Sequence, residues 1–163
     1  MAINRLEDLT DSEIERLINC DKILKSAPPK FATYKNRNYT KKISVFSTAE
    51  DEEFIVLFAR SSMELDFSLG LKYLAIPEQP MLLRCNGFHG TAKTFYAEHH
   101  SFVHSHTLCE KDILDKHPLK PSFITELSGK YYDFDSGVQF FCKKCGIINY
   151  KKYFPDYFQV SLW

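Results

Sequence analysis

Phe54-Ile55-Val56-Leu57-Phe58-Ala59 is the stretch of sequence that decides the fold, and Phe67-Ser68-Leu69-Gly70-Leu71-Lys72-Tyr73 follows it after a short connection. In the second stretch large apolar residues stand at every other position, which is typical of a strand with one buried face. Residues 43–45 and 81–85 form similar runs. The connections are short, whereas a parallel crossover needs about a dozen residues. We therefore predict an antiparallel meander or a partly closed barrel over residues 41–108.

A helix over residues 10–27 is predicted before this sheet. Thr10 and Glu13 have the spacing of a capping box, and Pro28-Pro29 would end the helix. Apolar residues recur between them at helical spacing, which predicts one buried stripe. The residues of this stripe are Ile14, Leu17, Ile18 and Leu24.

Two further elements are predicted after the sheet. Thr107 and Glu110 resemble a second capping box, which predicts a short helix over residues 109–117. Over residues 128–163 we predict a hairpin, because Asp135-Ser136-Gly137 separates two strand-like runs. The fold class is therefore α+β: an N-terminal helix, an antiparallel sheet and a C-terminal hairpin within a single domain of 163 residues.

Composition and charge make some classes of protein less favoured. The chain has 21 basic and 21 acidic side chains, so its charge as a whole does not favour nucleic acid or an anionic membrane. The N-terminus lacks the apolar region of a signal peptide, and no apolar run approaches the roughly 18 residues of a membrane span. We expect a cytoplasmic protein without a membrane or an organic cofactor, in which clustered cysteines act as metal ligands rather than disulfides.

Cys142-Lys143-Lys144-Cys145-Gly146 has the form of a zinc knuckle, in which two thiolates bind the ion through a tight turn. Zinc in a tetrahedral site needs two more ligands. His106 and Cys109 supply them with a spacing that mirrors the knuckle. The predicted zinc site is therefore His106, Cys109, Cys142 and Cys145. His104 or His100 could replace His106, and Cys85 could replace Cys109.

A second group of residues points to catalysis. Arg84 and His89 lie at the end of one predicted strand, and alternation along the next places His100, His104 and His106 on one face. Two histidines and an arginine would provide a general base, a general acid and an anion clamp for a phosphodiester. His89, His104 and His106 could instead hold a catalytic metal with an open position. In the simplest alternative these histidines only bind backbone groups at strand ends.

Three motifs carry a resemblance to a known family. They are Phe67-Ser68-Leu69-Gly70-Leu71, Leu82-Leu83-Arg84-Cys85-Asn86-Gly87-Phe88-His89-Gly90 and His104-Ser105-His106. In order and spacing they resemble a family of small bacterial proteins of unknown function with the patterns F-S-x-G-L, L-x-R-x-N-G-x-H-G and H-x-H. The resemblance implies a bacterial or phage origin.

A basic and aromatic segment lies between residues 22 and 42. Cations that contact phosphates and rings that stack on bases are the components of a single-strand binding surface. The residues predicted to contact nucleic acid are Tyr34, Lys35, Arg37, Tyr39 and Lys41. A solvated, lysine-rich linker explains the same run without any ligand.

From these observations we interpret the chain as a zinc-binding interaction module that contacts a macromolecule, protein or nucleic acid. The setting that the resemblance implies is bacterial or phage defence, counter-defence or a toxin-antitoxin pair. The alternative is a histidine-dependent hydrolase, such as a ribonuclease-like toxin, with His89, His104 and Arg84 as its catalytic residues.

Overall fold

The computed structural model describes residues 3–28, 32–34, 38–49, 51–61, 65–89 and 98–154. The helices in this part of the chain are α1 (Asp11–Asn19), α2 (Glu110–Leu114), α3 (Phe134–Lys144) and α4 (Tyr150–Tyr153), with short 3-10 turns at Leu6–Asp8 and Glu98–Ser101. The strands are β1 (Ile23–Leu24), β2 (Ala32–Tyr34), β3 (Asn38–Ser47), β4 (Glu52–Arg60), β5 (Phe67–Tyr73), β6 (Met81–Asn86), β7 (His104–Thr107) and β8 (Phe123–Glu126).

All eight strands belong to one antiparallel sheet, in the order β1-β3-β4-β5-β6-β7-β8, with β2 paired beside β3. From β3 to β7 each strand pairs with the next one along the chain, so the predicted meander is confirmed. The order begins at β1 and ends at β8, and within the described residues these two strands do not pair. The sheet is therefore open and not a barrel.

The two faces of the sheet differ in what covers them. Phe54, Val56 and Phe58 of β4 are buried, and the Phe58 ring lies 6.0 Å from the ring of Phe141 in α3. Helices α1 and α3 thus pack on this face, which we call the helix face. Side chains alternate along β4, so Leu57 lies on the opposite face, which we call the open face. Leu57 is only half-buried.

Helix α1 begins as the sequence predicts and ends earlier. The Thr10 side chain accepts a hydrogen bond from the Glu13 N–H at 3.2 Å, and Leu9 and Ile14 are both buried as a hydrophobic staple requires. The helix ends at Asn19, not near residue 27, and Leu24 belongs to β1. The chain leaves the helix because the Lys22 N–H bonds the Gly146 carbonyl at 2.7 Å instead of continuing the helical pattern.

The predicted C-terminal hairpin is wrong, because residues 134–144 form helix α3. Asp133 caps this helix: its carboxylate accepts from the Ser136 N–H at 2.8 Å, and the Ser136 hydroxyl oxygen accepts from the Asp133 N–H at 3.1 Å. Asp135-Ser136-Gly137 is therefore the first turn of a helix and not the turn of a hairpin. Val138, Phe141 and Cys142 then follow at helical spacing and are buried.

The short helix and the last strand also differ in part from the prediction. Helix α2 is present, but its N-cap is Cys109 and not Thr107, which belongs to β7. Strand β8 was not predicted, and all four of its residues are exposed at the end of the described sheet. None of the helices in the described residues is long and apolar enough to cross a membrane.

Candidate functional site

The strand register brings the three sequence motifs together on the open face. Strands β5, β6 and β7 are consecutive neighbours, and residues directly opposite one another point to the same side of a sheet. Two cross-strand rows result: Ser68, Asn86 and His104 form the first, and Gly70, Arg84 and His106 form the second. Residues of the three motifs therefore lie side by side on one surface of the sheet.

His104 and His106 form the centre of this surface. Their Nε2 atoms lie 3.1 Å apart, and both side chains are buried, with 0% and 8% of their surface exposed. The Nδ1 atom of His104 lies 2.9 Å from the Phe102 carbonyl oxygen, and that of His106 lies 3.0 Å from the Pro121 carbonyl oxygen. A carbonyl oxygen only accepts hydrogen bonds, so in both rings Nδ1 carries the proton.

This assignment makes both Nε2 atoms acceptors when the rings are neutral. Two lone pairs at 3.1 Å repel each other unless a cation, either a proton or a metal ion, lies between them. The Asn86 side-chain amide lies 3.2 Å from His104 Nε2 and can donate to its single lone pair, the same lone pair that a bound cation would take instead. The pair of histidines is therefore arranged to hold a cation.

His89 is the third histidine of the group. Its Nε2 atom lies 3.4 Å from His104 Nε2, and its ring packs 4.2 Å from the ring of His100. Gly87 allows the chain to reach this position, because a Cβ there would lie 2.2 Å from the Leu65 carbonyl oxygen. His100 itself lies in the 3-10 turn Glu98–Ser101 and not on the predicted strand face.

Tyr131 ties the two strands that carry the site, and the sequence reasoning missed it. Its hydroxyl lies 2.9 Å from the Asn86 carbonyl oxygen and 3.2 Å from the His104 carbonyl oxygen. Burial raises the pKa of this hydroxyl, so it stays protonated and can donate. No local pattern could reveal the contact, because Tyr131 is 45 residues from Asn86 along the chain.

Arg84 lies directly opposite His106 on the open face. Its side chain is half-buried, and its Nε atom is buried without a hydrogen-bond partner. Burial lowers the pKa of the guanidinium, although it stays charged. Among the residues that the structure describes, no carboxylate forms an ion pair with Arg84. The arginine is thus a partly desolvated cation beside the histidines.

The proposed thiol ligands lie elsewhere. Cys142 is the third residue from the end of α3, Cys145 is its C-cap, and Gly146 follows with a positive φ of 63°. The Ile147 N–H bonds the Cys142 carbonyl at 2.9 Å, and the Gly146 N–H bonds the Lys143 carbonyl at 3.2 Å. These two bonds are a Schellman motif, the usual end of a helix at glycine. The structure therefore does not show a zinc knuckle here.

The predicted thiol ligands are buried or hydrogen-bonded to other groups. Cys142 and Cys145 are fully buried, and burial raises the pKa of Cys145 to about 12, so the thiol form dominates. Cys109 donates its S–H to the Asp112 carboxylate at 3.3 Å, while His106 Nε2 faces His104. In the described parts of the chain, no three His, Cys, Asp or Glu side chains form a ready-made metal site. The four predicted zinc ligands are not brought together.

The remaining predictions concern the basic segment. Lys35 and Arg37 lie outside the described residues, as do the side chains of Tyr34 and Tyr39. Lys41 is half-buried, and its ammonium lies 6.0 Å from the Phe154 ring. Burial lowers its pKa, and the nearby Arg60 lowers it further. The nucleic-acid surface remains a prediction.

A cavity of about 300 Å³ lies between α1 and the start of α2, where Ile14, Leu108 and Phe123 line it. It is on the helix face of the sheet, since residues of α1 form one wall. The histidine group lies on the other face, so this cavity is not part of the same site.

The chain matches no family model, and no curated protein or solved structure matches it. The resemblance to the bacterial family therefore stays a prediction. What the site can do follows from its own geometry.

Proposed function

We propose that this protein binds a divalent transition-metal ion, zinc foremost, through the Nε2 atoms of His89, His104 and His106, and that the site is hydrolytic. The observation that carries the proposal is the approach of His104 Nε2 to within 3.1 Å of His106 Nε2, while both Nδ1 atoms face carbonyl oxygens. Fixing the Nδ1 proton in this way is how proteins orient histidine ligands to a metal.

The distances support a metal ion more than a metal-free pair of catalytic histidines. With Zn–N bonds of about 2.0–2.1 Å, the edges of a tetrahedral site are about 3.3–3.4 Å long. The two distances from His104 Nε2, 3.1 Å and 3.4 Å, are close to these edges. A general acid and a general base must instead lie on either side of the substrate, and nitrogens 3.1 Å apart leave no room for one.

His89 has to complete the site. It is half-buried, whereas His104 and His106 are buried and held by backbone carbonyls. We therefore assign His104 and His106 as the fixed pair and His89 as the ligand that closes on the ion. If His89 moves into place only when the ion binds, the described residues would contain no ready-made group of three metal ligands, as is found.

Three neutral histidines leave a fourth position for water, as in the catalytic zinc sites of hydrolytic and hydrating enzymes. A bound zinc ion supplies a water with a pKa lowered to about 7 and a Lewis acid for the substrate. The residues of this chain orient that ion and exclude bulk water, since His104 is completely buried. The proposal thus develops the alternative of a histidine-dependent hydrolase rather than the interaction module, of whose thiol ligands Cys142 and Cys145 lie in the core.

Elemental analysis of protein purified without chelator tests the proposal. We expect about one equivalent of zinc in the wild type, and its loss in a His104→Ala/His106→Ala double variant that retains its circular dichroism spectrum. The matched control is Cys142→Ala/Cys145→Ala, which changes two buried groups but should retain the ion. Loss of zinc from the cysteine variant alone would assign the metal to the thiols. Protein that takes up no metal from a zinc buffer would show that the two histidines share only a proton.

A further inference from the structure

We infer that the substrate of this site is a phosphate ester, and that Arg84 holds one of its oxygens while another faces the metal. This inference rests on the proposed metal site and adds the class of substrate. It starts from the register, in which Arg84 of β6 is the direct cross-strand neighbour of His106 in β7. Such neighbours point to the same side of the sheet, with Cβ atoms about 4.5–5.5 Å apart.

The charge of the open face favours an anion. The three histidines are neutral when they bind a metal, so the ion keeps its full double charge. Arg84 adds a further positive charge, and Lys72 of β5 lies on the same face. The acids of the described strands on this face are Glu126, opposite His104 in β8, and Glu53 of β4, and both side chains are exposed to solvent. The described part of the face is therefore electropositive around the histidines.

The state of Arg84 points in the same direction. Arg84 is half-buried, and no carboxylate of the described residues pairs with it, so its lost hydration is unfavourable unless an anion completes the site. Guanidinium groups bind phosphate oxygens with two parallel hydrogen bonds, which fixes the orientation of the anion. A tetrahedral phosphate can place one oxygen on a metal ion held by the histidines and another on the Arg84 guanidinium, since Arg84 lies on the strand next to His104 and His106. In this arrangement the metal ion and Arg84 bind the phosphoryl group from two sides.

The reaction that this arrangement supports is hydrolysis of the ester. The water oxygen forms a bond to phosphorus while the bond from phosphorus to the ester oxygen breaks. One proton of the water leaves with the alcohol product, and the other stays with the phosphate. Charge that develops on the phosphoryl oxygens is stabilised by the Arg84 guanidinium, which touches the reacting group in this assignment.

Calorimetric titration with inorganic phosphate tests the inference in three samples: the zinc-loaded wild type, an Arg84→Gln variant and a Lys72→Gln control. We expect Arg84→Gln to bind zinc as the wild type does and to bind phosphate about 10- to 100-fold more weakly. Lys72→Gln should change phosphate affinity only a few-fold. If Arg84→Gln is misfolded by circular dichroism, Arg84→Lys replaces it. Arg84→Lys keeps the charge without the planar fork, and it should also lose phosphate affinity.

The outcomes separate the inference from the proposed function. Phosphate binding that is unchanged in the folded Arg84 variant overturns the inference while zinc binding still stands. Equal phosphate binding with and without zinc also overturns it, because the anion must then lie away from the metal. A wild type that binds no zinc overturns the proposed function itself. Turnover of a nitrophenyl phosphate monoester or of the corresponding diester, lost in Arg84→Gln, supports the inference and assigns the type of ester.

Discussion

The ammonium group of Lys22 donates a hydrogen bond to the Cys145 carbonyl oxygen at 3.0 Å and thereby joins the end of α1 to the end of α3. The same Nζ atom donates to the carbonyl oxygens of Ile18 at 3.0 Å and Cys20 at 2.9 Å. Carbonyls at the end of a helix have no partner within the helix, and a cation is favourable there. The three protons of Lys22 are therefore all used, although the side chain is 0% exposed.

Replacing Lys22 by Met should destabilise the fold by about 2–4 kcal/mol, because two buried carbonyls and one partly buried carbonyl lose their donor at once. Burial lowers the pKa of Lys22, because a buried ammonium charge is unfavourable. Methionine removes this unfavourable burial, which offsets part of the lost stability. Chemical denaturation measures the free energy of unfolding. Lys25→Met is the matched control, since Lys25 is exposed over the Phe46 ring, and it should change stability by less than about 0.5 kcal/mol. Equal effects of the two changes would show that the buried bonds contribute no net stability.

The Lys22 contact also shows why the sequence misled us about the C-terminal region. A glycine after C-x-x-C is required by a zinc knuckle and equally by a helix that ends in the left-handed conformation. The pattern does not contain the partner that decides between them. That partner is the backbone of residues 19–22, more than 120 positions away, which packs against Gly146. Sequence reasoning recognised the special glycine but assigned it to the wrong motif.

Gly146→Ala should destabilise the protein for two separable reasons. The φ of 63° is strained for alanine, and the new Cβ would lie 2.4 Å from the Cys20 carbonyl oxygen. Gly129→Ala isolates the first reason, because Gly129 also has a positive φ, 80°, but nothing lies within 4 Å of its Cβ position. We expect a loss of about 1 kcal/mol at Gly129 and clearly more at Gly146 in urea denaturation. Similar losses at both positions would mean that the close approach to Cys20 relaxes without cost.

Asp112 should make the stability of the protein depend on pH. Burial alone would raise its pKa, but hydrogen bonds from Ser122 and Cys109 outweigh burial and lower the pKa below its ordinary value. A carboxylate with a lowered pKa in the folded state stabilises the fold above its unfolded pKa of about 3.9. This contribution is lost as the pH falls through the lower, folded pKa.

Asp112→Asn should therefore cost about 1–3 kcal/mol at neutral pH and less below about pH 4. The free energy of unfolding, measured from pH 3 to 7, checks both the size and the pH dependence. Asp115→Asn is the control on the same helix, because Asp115 is exposed and pairs with the exposed Lys111. If the Asp112 variant loses the same amount of stability at every pH, the charge of the carboxylate is not what stabilises the start of α2.

The histidine face was easier to predict than the C-terminal region, because it depends on alternation within strands. Alternation places His104 and His106 on the same side, and the structure agrees. Two features of the site lay beyond such reasoning. The carbonyl of Pro121 that orients His106 belongs to an irregular segment, and Tyr131 reaches the site from just before α3. Both contacts are set by tertiary packing, which leaves no periodic signal in the sequence.

Tyr131→Phe should weaken the proposed metal site more than it weakens the fold. The hydroxyl bonds the backbone carbonyls of Asn86 and His104, so its loss loosens the strand end that carries a proposed ligand. Groups that support metal ligands change metal affinity by about 10- to 100-fold, whereas one lost hydrogen bond costs stability of about 1 kcal/mol. The neighbouring Tyr132→Phe is a matched control, since Tyr132 is 72% exposed. Competition against a chromophoric zinc chelator measures affinity, and urea denaturation measures stability. A Tyr131→Phe protein with unchanged zinc affinity would show that β6 and β7 hold His104 in place without this tether.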